Sequence, residues 1–181
     1  MATPTTLPAA FTAGQVLTAA QQNALRGAFR VLQVVSATKS DSFTTTSTSF
    51  VDVTGLSVSI TPSSTTSKIL VLVDMVGSAT PGVVAMFGVL VRDSTQIALG
   101  DAAGSRTRTS GFLQAANADS VSMMSLNFLD SPATVSALTY KIQIQCATTG
   151  NAYINRSSRD QDSTTFDCRQ ASTITVMEIA A

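Results

Sequence analysis

The sequence predicts an all-β fold, a two-sheet sandwich of jelly-roll type preceded by a short N-terminal arm with a helix. Three observations lead there. Between 49 and 60 apolar and small polar residues alternate: Val51 and Val53, then Leu56, Val58 and Ile60 with Ser57 and Ser59 between them. That period of two, in β-branched and hydroxyl residues, is the pattern of a half-buried strand. A turn of prolyl, seryl and threonyl residues follows at 61–67, because Pro62 cannot continue a central strand. Lys68 to Val76 is then a nearly continuous apolar run, read as a strand covered on both faces.

Further strand patterns fall at 31–38, 84–92, 96–99, 110–115, 121–129, 140–147, 151–155 and 173–179. Eight to ten short strands divided by turn signals argue for a sandwich or jelly roll. Two hairpins are expected. One turns at Arg92-Asp93-Ser94-Thr95, and the other joins 140–147 to 151–155 through Thr148-Thr149-Gly150. The segments 100–111 and 156–167 read as long polar loops, the exposed and variable parts of the molecule.

Residues 1–30 stand apart from the body at 31–181. The first eight are rich in Pro and Thr, and 19–26 is built mostly of good helix formers, with Thr12 or Thr18 as cap and Gly27 as stop. Val16, Leu17, Ala20, Ala24 and Leu25 fall on one narrow apolar stripe. A helix of two or three turns is marginal alone, so the arm is expected to attach to a partner through those five residues.

Composition removes several classes of function. Charged residues make up 12% of the 181 and the formal net charge is +0, so no basic face is expected for nucleic acid. Ser and Thr supply about a quarter of the chain, against ordinary usage that is well lower. With 44% hydrophobic residues the chain has enough apolar surface to fold. Few charges and many hydroxyls suit a surface committed to assembly. No apolar run approaches the ~20 residues of a membrane-spanning helix, so no membrane insertion is expected. The N-terminus lacks early Lys or Arg and has two prolines, unlike a secretory signal. The chain is therefore expected to remain in the cytosol of the cell that makes it.

There is no histidine, so neither a Ser-His-Asp triad nor a His-containing zinc site is available. Lys39, Lys68 and Lys141 are the only lysines able to serve as a base for serine, and all lie in or beside strand patterns. Asp160, Asp162 and Asp167 share a polar loop with Arg156, Arg159 and Arg169. Two such acids can act on a glycoside and oxygen ligands can hold Ca²⁺, but the nearby arginines favour ordinary ion pairs. The segment 100–106 is rich in glycine yet lacks the Lys-Ser/Thr ending of a phosphate loop. The chain is expected to be non-enzymatic, with no cofactor and no metal. Cys146 and Cys168 read as two buried small apolar residues, with a disulfide open if their strands are neighbours. Tyr153, Arg156, Arg159, Asp160 and Asp162 form a candidate exposed binding loop, with a host surface glycan as its ligand, or, as the plainer reading, solvation or contact with a neighbouring subunit.

Three groups of segments carry a resemblance. The phrase Phe11-Thr-Ala-Gly-Gln-Val-Leu-Thr-Ala-Ala-Gln-Gln-Asn23 resembles the N-terminal arm of many phage virion proteins. The stretch 45–73, above all Phe50-Val-Asp-Val-Thr-Gly-Leu56 and Ser57-Val-Ser-Ile-Thr-Pro62, is similar to a module of tail-fibre and appendage proteins of tailed phages. Phe128-Leu-Asp-Ser-Pro-Ala-Thr134, Tyr153-Ile-Asn-Arg156 and Thr173-Ile-Thr-Val-Met-Glu-Ile179 look like later parts of that module. The resemblance implies a β-rich, homotrimeric structural protein of the virion, assembled in the host cytoplasm and in contact with other virion proteins of the tail or capsid. A tail-fibre or head-fibre appendage is the first role it implies, and a capsid decoration protein the second. It supplies no catalytic residues.

Overall fold

A computed structural model of the chain describes residues 13, 14, 16, 18–22, 30–81, 85–114 and 116–180. Eleven strands follow one another: β1 (Val31–Lys39), β2 (Phe43–Thr45), β3 (Val51–Ile60), β4 (Lys68–Ala79), β5 (Ala85–Arg92), β6 (Thr95–Ile97), β7 (Gly111–Gln114), β8 (Ser122–Asp130), β9 (Leu138–Cys146), β10 (Ala152–Ile154) and β11 (Ser172–Ile179). All their pairings are antiparallel. β1 and β2 lie one after the other beside the track that β11 and β10 share, and β4 and β8 complete the first sheet. In the second sheet β3, β9 and β5 are neighbours, and β6 and β7 share the far side of β5.

Counted by track, the first sheet reads first, eighth, third, sixth and the second reads second, seventh, fourth, fifth. This interleaving of two Greek keys is the jelly roll. Chain crossings between sheets produce it. The corner at 61–67 carries the chain from β3 in one sheet to β4 in the other.

The expected hairpin between 140–147 and 151–155 does not form. β9 belongs to the second sheet, whereas β10 pairs with β2 and β4 in the first, so Thr148-Thr149-Gly150 is another crossing. A three-residue polar link suits either connection, and the core decides between them. The hairpin at 92–95 does form, with Arg92 opposite Thr95 and Asp93 at φ 54. β2 is too short to show a pattern within its Ser/Thr-rich surroundings, and it is defined by its pairing with β10.

Between the sheets lies one core, which includes Leu56, Ile69, Val71, Met75, Leu90, Tyr140, Ile142 and Ile174. In β3 the apolar phase skips a residue between Val53 and Leu56, where the register with β9 shifts and Gly55 adopts φ +85. A bulge there returns Leu56 to the core side. β4 is covered on both faces only from Met75 onward, and from Lys68 to Asp74 its outward residues are half-buried or exposed. The apolar run therefore overstated its coverage, because Leu70 and Leu72 face outward. Gly77 lets β10 approach, since a Cβ there would sit 2.7 Å from the Tyr153 carbonyl oxygen.

Polar groups hold the corners. Asn155, buried at φ 63, donates from Nδ2 to the carbonyls of Lys39 (2.8 Å) and Asp41 (3.0 Å), and accepts from Ser172 Oγ (2.6 Å). Asp130 receives Tyr140 Oη at 2.7 Å and both of its oxygens meet Arg92. Burial, first, and then the Asp130 carboxylate push the Tyr140 phenol well above its usual range.

Candidate functional site

Three places bear on function: the loop after β10, the described part of the arm, and the outer face of the first sheet. The loop leaves β10 at Asn155 and returns through an isolated bridge between Arg156 and Arg169. The Arg156 guanidinium lies 4.2 Å from the centre of the Tyr153 ring and pairs with Asp160, which also holds Arg169 at 2.8 Å. These four side chains make one cluster. Arg159 turns to another side, pairing with Asp167 at 2.9 Å and lying 5.3 Å over the Phe166 ring. Its backbone N–H and Ser158 Oγ donate to the Ala118 carbonyl, which ties the loop to the segment before β8. Asp162 is exposed and joins Asp160, Asp167 and Arg169 around an open depression of about 330 Å³.

The electrostatics of this end are those of ion pairing. A hydrogen bond from Ser157 first, and the Arg159 guanidinium after it, hold the Asp167 carboxyl below its ordinary range against the opposing effect of burial. A general acid needs the opposite shift. Among the described residues no three His, Cys, Asp or Glu side chains are grouped to hold a metal ion. In the other long loop, Arg106 and Arg108 donate to the carbonyls of Ala103 and Gly100. Cys146 is buried, as read from the sequence, but Cys168 is exposed on the loop and both are free thiols. Cys168 shares alternation with Phe166, but the segment is no strand, so parity says nothing about its burial.

In the arm, residues 19–22 form one helical turn. Thr18 and Gln21 cap it reciprocally: the Gln21 N–H donates to Thr18 Oγ1 (3.2 Å) and the Thr18 N–H to Gln21 Oε1 (3.0 Å). Val16 is 85% exposed and Ala20 is also exposed. Leu17, Ala24, Leu25 and the expected stop at Gly27 lie outside the described residues. No helix among those described is long and apolar enough to cross a membrane.

The outer face of the first sheet was missed as a site in the sequence. Across its four tracks Val34 lies opposite Met177, Met177 opposite Leu70, and Leu70 opposite Leu129. Val34 and Leu129 are 55% and 50% exposed, and Met123 at the far end of the same face is 65% exposed. The next row is Ser36, Thr175, Leu72 and Asn127, with a hydrogen bond between Ser36 Oγ and Thr175 Oγ1. Only Lys68 and Asp74 bring charge to the strands of this face. By contrast, the outer side of β3 and β9 is polar, with Asp52 bound to Lys141 and Gln143, and Ser59 to Thr139. Alternation in β1, β8 and β11 was the available signal, but rows align only once register is known.

No protein-family model matches the chain. No curated protein matches it either. Among solved structures, the chain is similar to that of T=1 particles derived from infectious bursal disease virus, at 12% identity over 82% of this chain and 36% of that one, with TM-score 0.43. It is also similar to the Gx strain of the same virus (12% identity, 82% and 37% covered, TM-score 0.40) and to its VP2 subviral particle (11%, 82% and 42%, 0.37). The chain thus spans less than half the length of these proteins. Likenesses this distant add nothing to the topology read from strand pairing.

Proposed function

We propose that this chain is a non-enzymatic structural subunit of a virus particle, an appendage of tail-fibre or head-fibre type held to the particle by residues 1–30. The observation that carries the reading is the sparsely charged outer face of the first sheet, crossed by one apolar row. A monomeric soluble domain has little use for a row of half-exposed Val, Met and Leu side chains running across four strands, whereas a subunit buries them. The jelly roll is compatible with this role as an analogy of fold, since such domains build viral shells as well as lectins and cupins. The sequence resemblance to phage virion proteins points the same way, and the three copies it implies would be brought together on the particle.

Antibody against the β-domain should label intact particles, and particles should take up the full chain but not one lacking residues 1–27. Normal uptake of the truncated chain would place the anchor elsewhere, and unlabelled particles would end the virion reading. Copy number separates an appendage, with a few dozen copies or fewer, from a capsid decoration protein with hundreds. A glycan-binding role for Tyr153, Arg156, Arg159, Asp160 and Asp162 is the weaker proposal. Arg156 already covers the Tyr153 ring on which a sugar would stack. Its test is host-surface binding that is lost in Arg159→Ala with Asp162→Ala.

A further inference from the structure

We infer that the outer face of the first sheet is a contact between two copies of this chain, related by a twofold axis running along the strands between β11 and β4. The inference rests on the reading of the chain as an assembly subunit and adds the partner, the surface and the symmetry. Such an axis lays β1 over β8 of the second copy and β11 over β4. Val34 then meets Leu129 and Met177 meets Leu70, so the apolar row packs on itself. In the next row Ser36 falls on Asn127 and Thr175 on Leu72. Lys68 falls on Ile179 and Asp74 on Thr173, so neither charge meets its own kind.

Two other arrangements are less favourable. A twofold axis across the strands would pair Lys68 with Asp74, but it would set Val34 on Ser36, Met177 on Thr175 and Leu129 on Asn127. Exposed ion pairs contribute little, so two of them do not compensate for the apolar contacts given up. In a threefold arrangement the four tracks, about 19 Å wide at ~4.8 Å per track, form one wall of a prism whose centre lies about 5.5 Å from each wall, close to half of the ~10 Å spacing of packed sheets. The walls would close without a void. However, the three Asp74 backbones would lie about 10 Å apart with their carboxylates pointing inward, and like charges in a closed layer repel. A threefold contact therefore has to use other surfaces than this one.

The face has four outward rows from Lys68 to Asp74, each two residues deep at ~3.3 Å per residue, which gives a length of about 26 Å. Its footprint is therefore about 500 Å² per copy and about 1,000 Å² for the pair, the lower bound for a specific interface. Association should accordingly be weak. Sedimentation velocity of the full chain should show the mass rising from one chain toward two between ~1 and ~100 μM, the range expected of a small interface. Met177→Lys and Leu129→Lys should each remain single chains throughout, with an unchanged far-UV spectrum and melting temperature.

Geometry has its own test. In a Cys168→Ser background, Val34→Cys together with Leu129→Cys should be joined into a covalent dimer by a short bifunctional thiol reagent that spans the ~10 Å between facing sheets, and neither cysteine alone should be. Within one chain the two positions lie three tracks apart, about 14 Å, beyond the reach of that reagent. A wild-type chain still monomeric at 100 μM, association that survives both lysine variants, or a covalent trimer would each overturn the inference. A monomeric result leaves anchoring by residues 1–30 intact, and unlabelled particles leave the dimer intact, so the two readings fail separately.

Discussion

Replacing Glu178 with glutamine probes the end of the sheet at which the arm enters. Glu178 is fully buried. Its Oε1 accepts the Ser63 N–H (2.7 Å) and Ser63 Oγ (2.6 Å), and its Oε2 accepts Gln33 Nε2 (2.6 Å). Gln33 also donates to the Thr61 carbonyl, so this one carboxylate joins β1, β11 and the 61–67 corner. Burial by itself would raise its pKa, but hydrogen bonds from Ser63, Ser67 and Gln33 outweigh it and hold the value at about 2, against 4.5 for an ordinary Glu. A carboxyl with a depressed folded pKa stabilises the fold fully above its unfolded pKa, and that stabilisation is lost as pH falls from 4.5 toward 2. The difference corresponds to about 3 kcal/mol. Glutamine keeps an acceptor for Ser63 but turns an NH₂ toward the NH₂ of Gln33. The variant should therefore lose about 2–3 kcal/mol at pH 7, and the gap from wild type should shrink below about 1 kcal/mol near pH 2.5. Urea unfolding followed by far-UV circular dichroism, in parallel at pH 7, 5, 4, 3 and 2.5, measures it. Taking the difference between the two proteins cancels the other titrating carboxylates. A gap that stays constant with pH, or one below about 0.5 kcal/mol at pH 7, would refute the argument.

Asn155→Ala removes three hydrogen bonds and leaves a side chain at φ 63, so it should cost about 3–4 kcal/mol in denaturant unfolding, of which Asn155→Gly recovers only the backbone part, about 1 kcal/mol. Gly77→Ala drives a Cβ against the Tyr153 carbonyl and should destabilise by about 1–3 kcal/mol, with faster amide exchange in β10 than in β11. A thiol reagent should modify Cys168 in the native protein at once, and Cys146, which is buried and whose thiol pKa burial raises, only on unfolding. Two fast thiols would mean that the β9–β10 crossing opens readily.

The sequence alone determined the class of the fold and the position of most strands, because period-two alternation is written locally. It also excluded histidine chemistry and placed the arginines and aspartates of 156–169 close enough to pair. Tertiary structure decided which sheet each strand joins. Thr148-Thr149-Gly150 reads as a hairpin turn, yet Ala152 and Ile154 find their burial beside β4, and pairing across such distances in sequence leaves no local mark. Asn155 and Glu178 look like surface residues in sequence, and only the convergence of Lys39, Asp41 and Ser172 on one, and of Gln33 and Ser63 on the other, makes their burial tolerable. The outer face illustrates the division most clearly. Alternation sets Leu70 and Leu129 apart from their neighbours, but whether such residues align into one apolar row or scatter among serines depends on strand order and register. Those are set by how the two sheets close over a shared core.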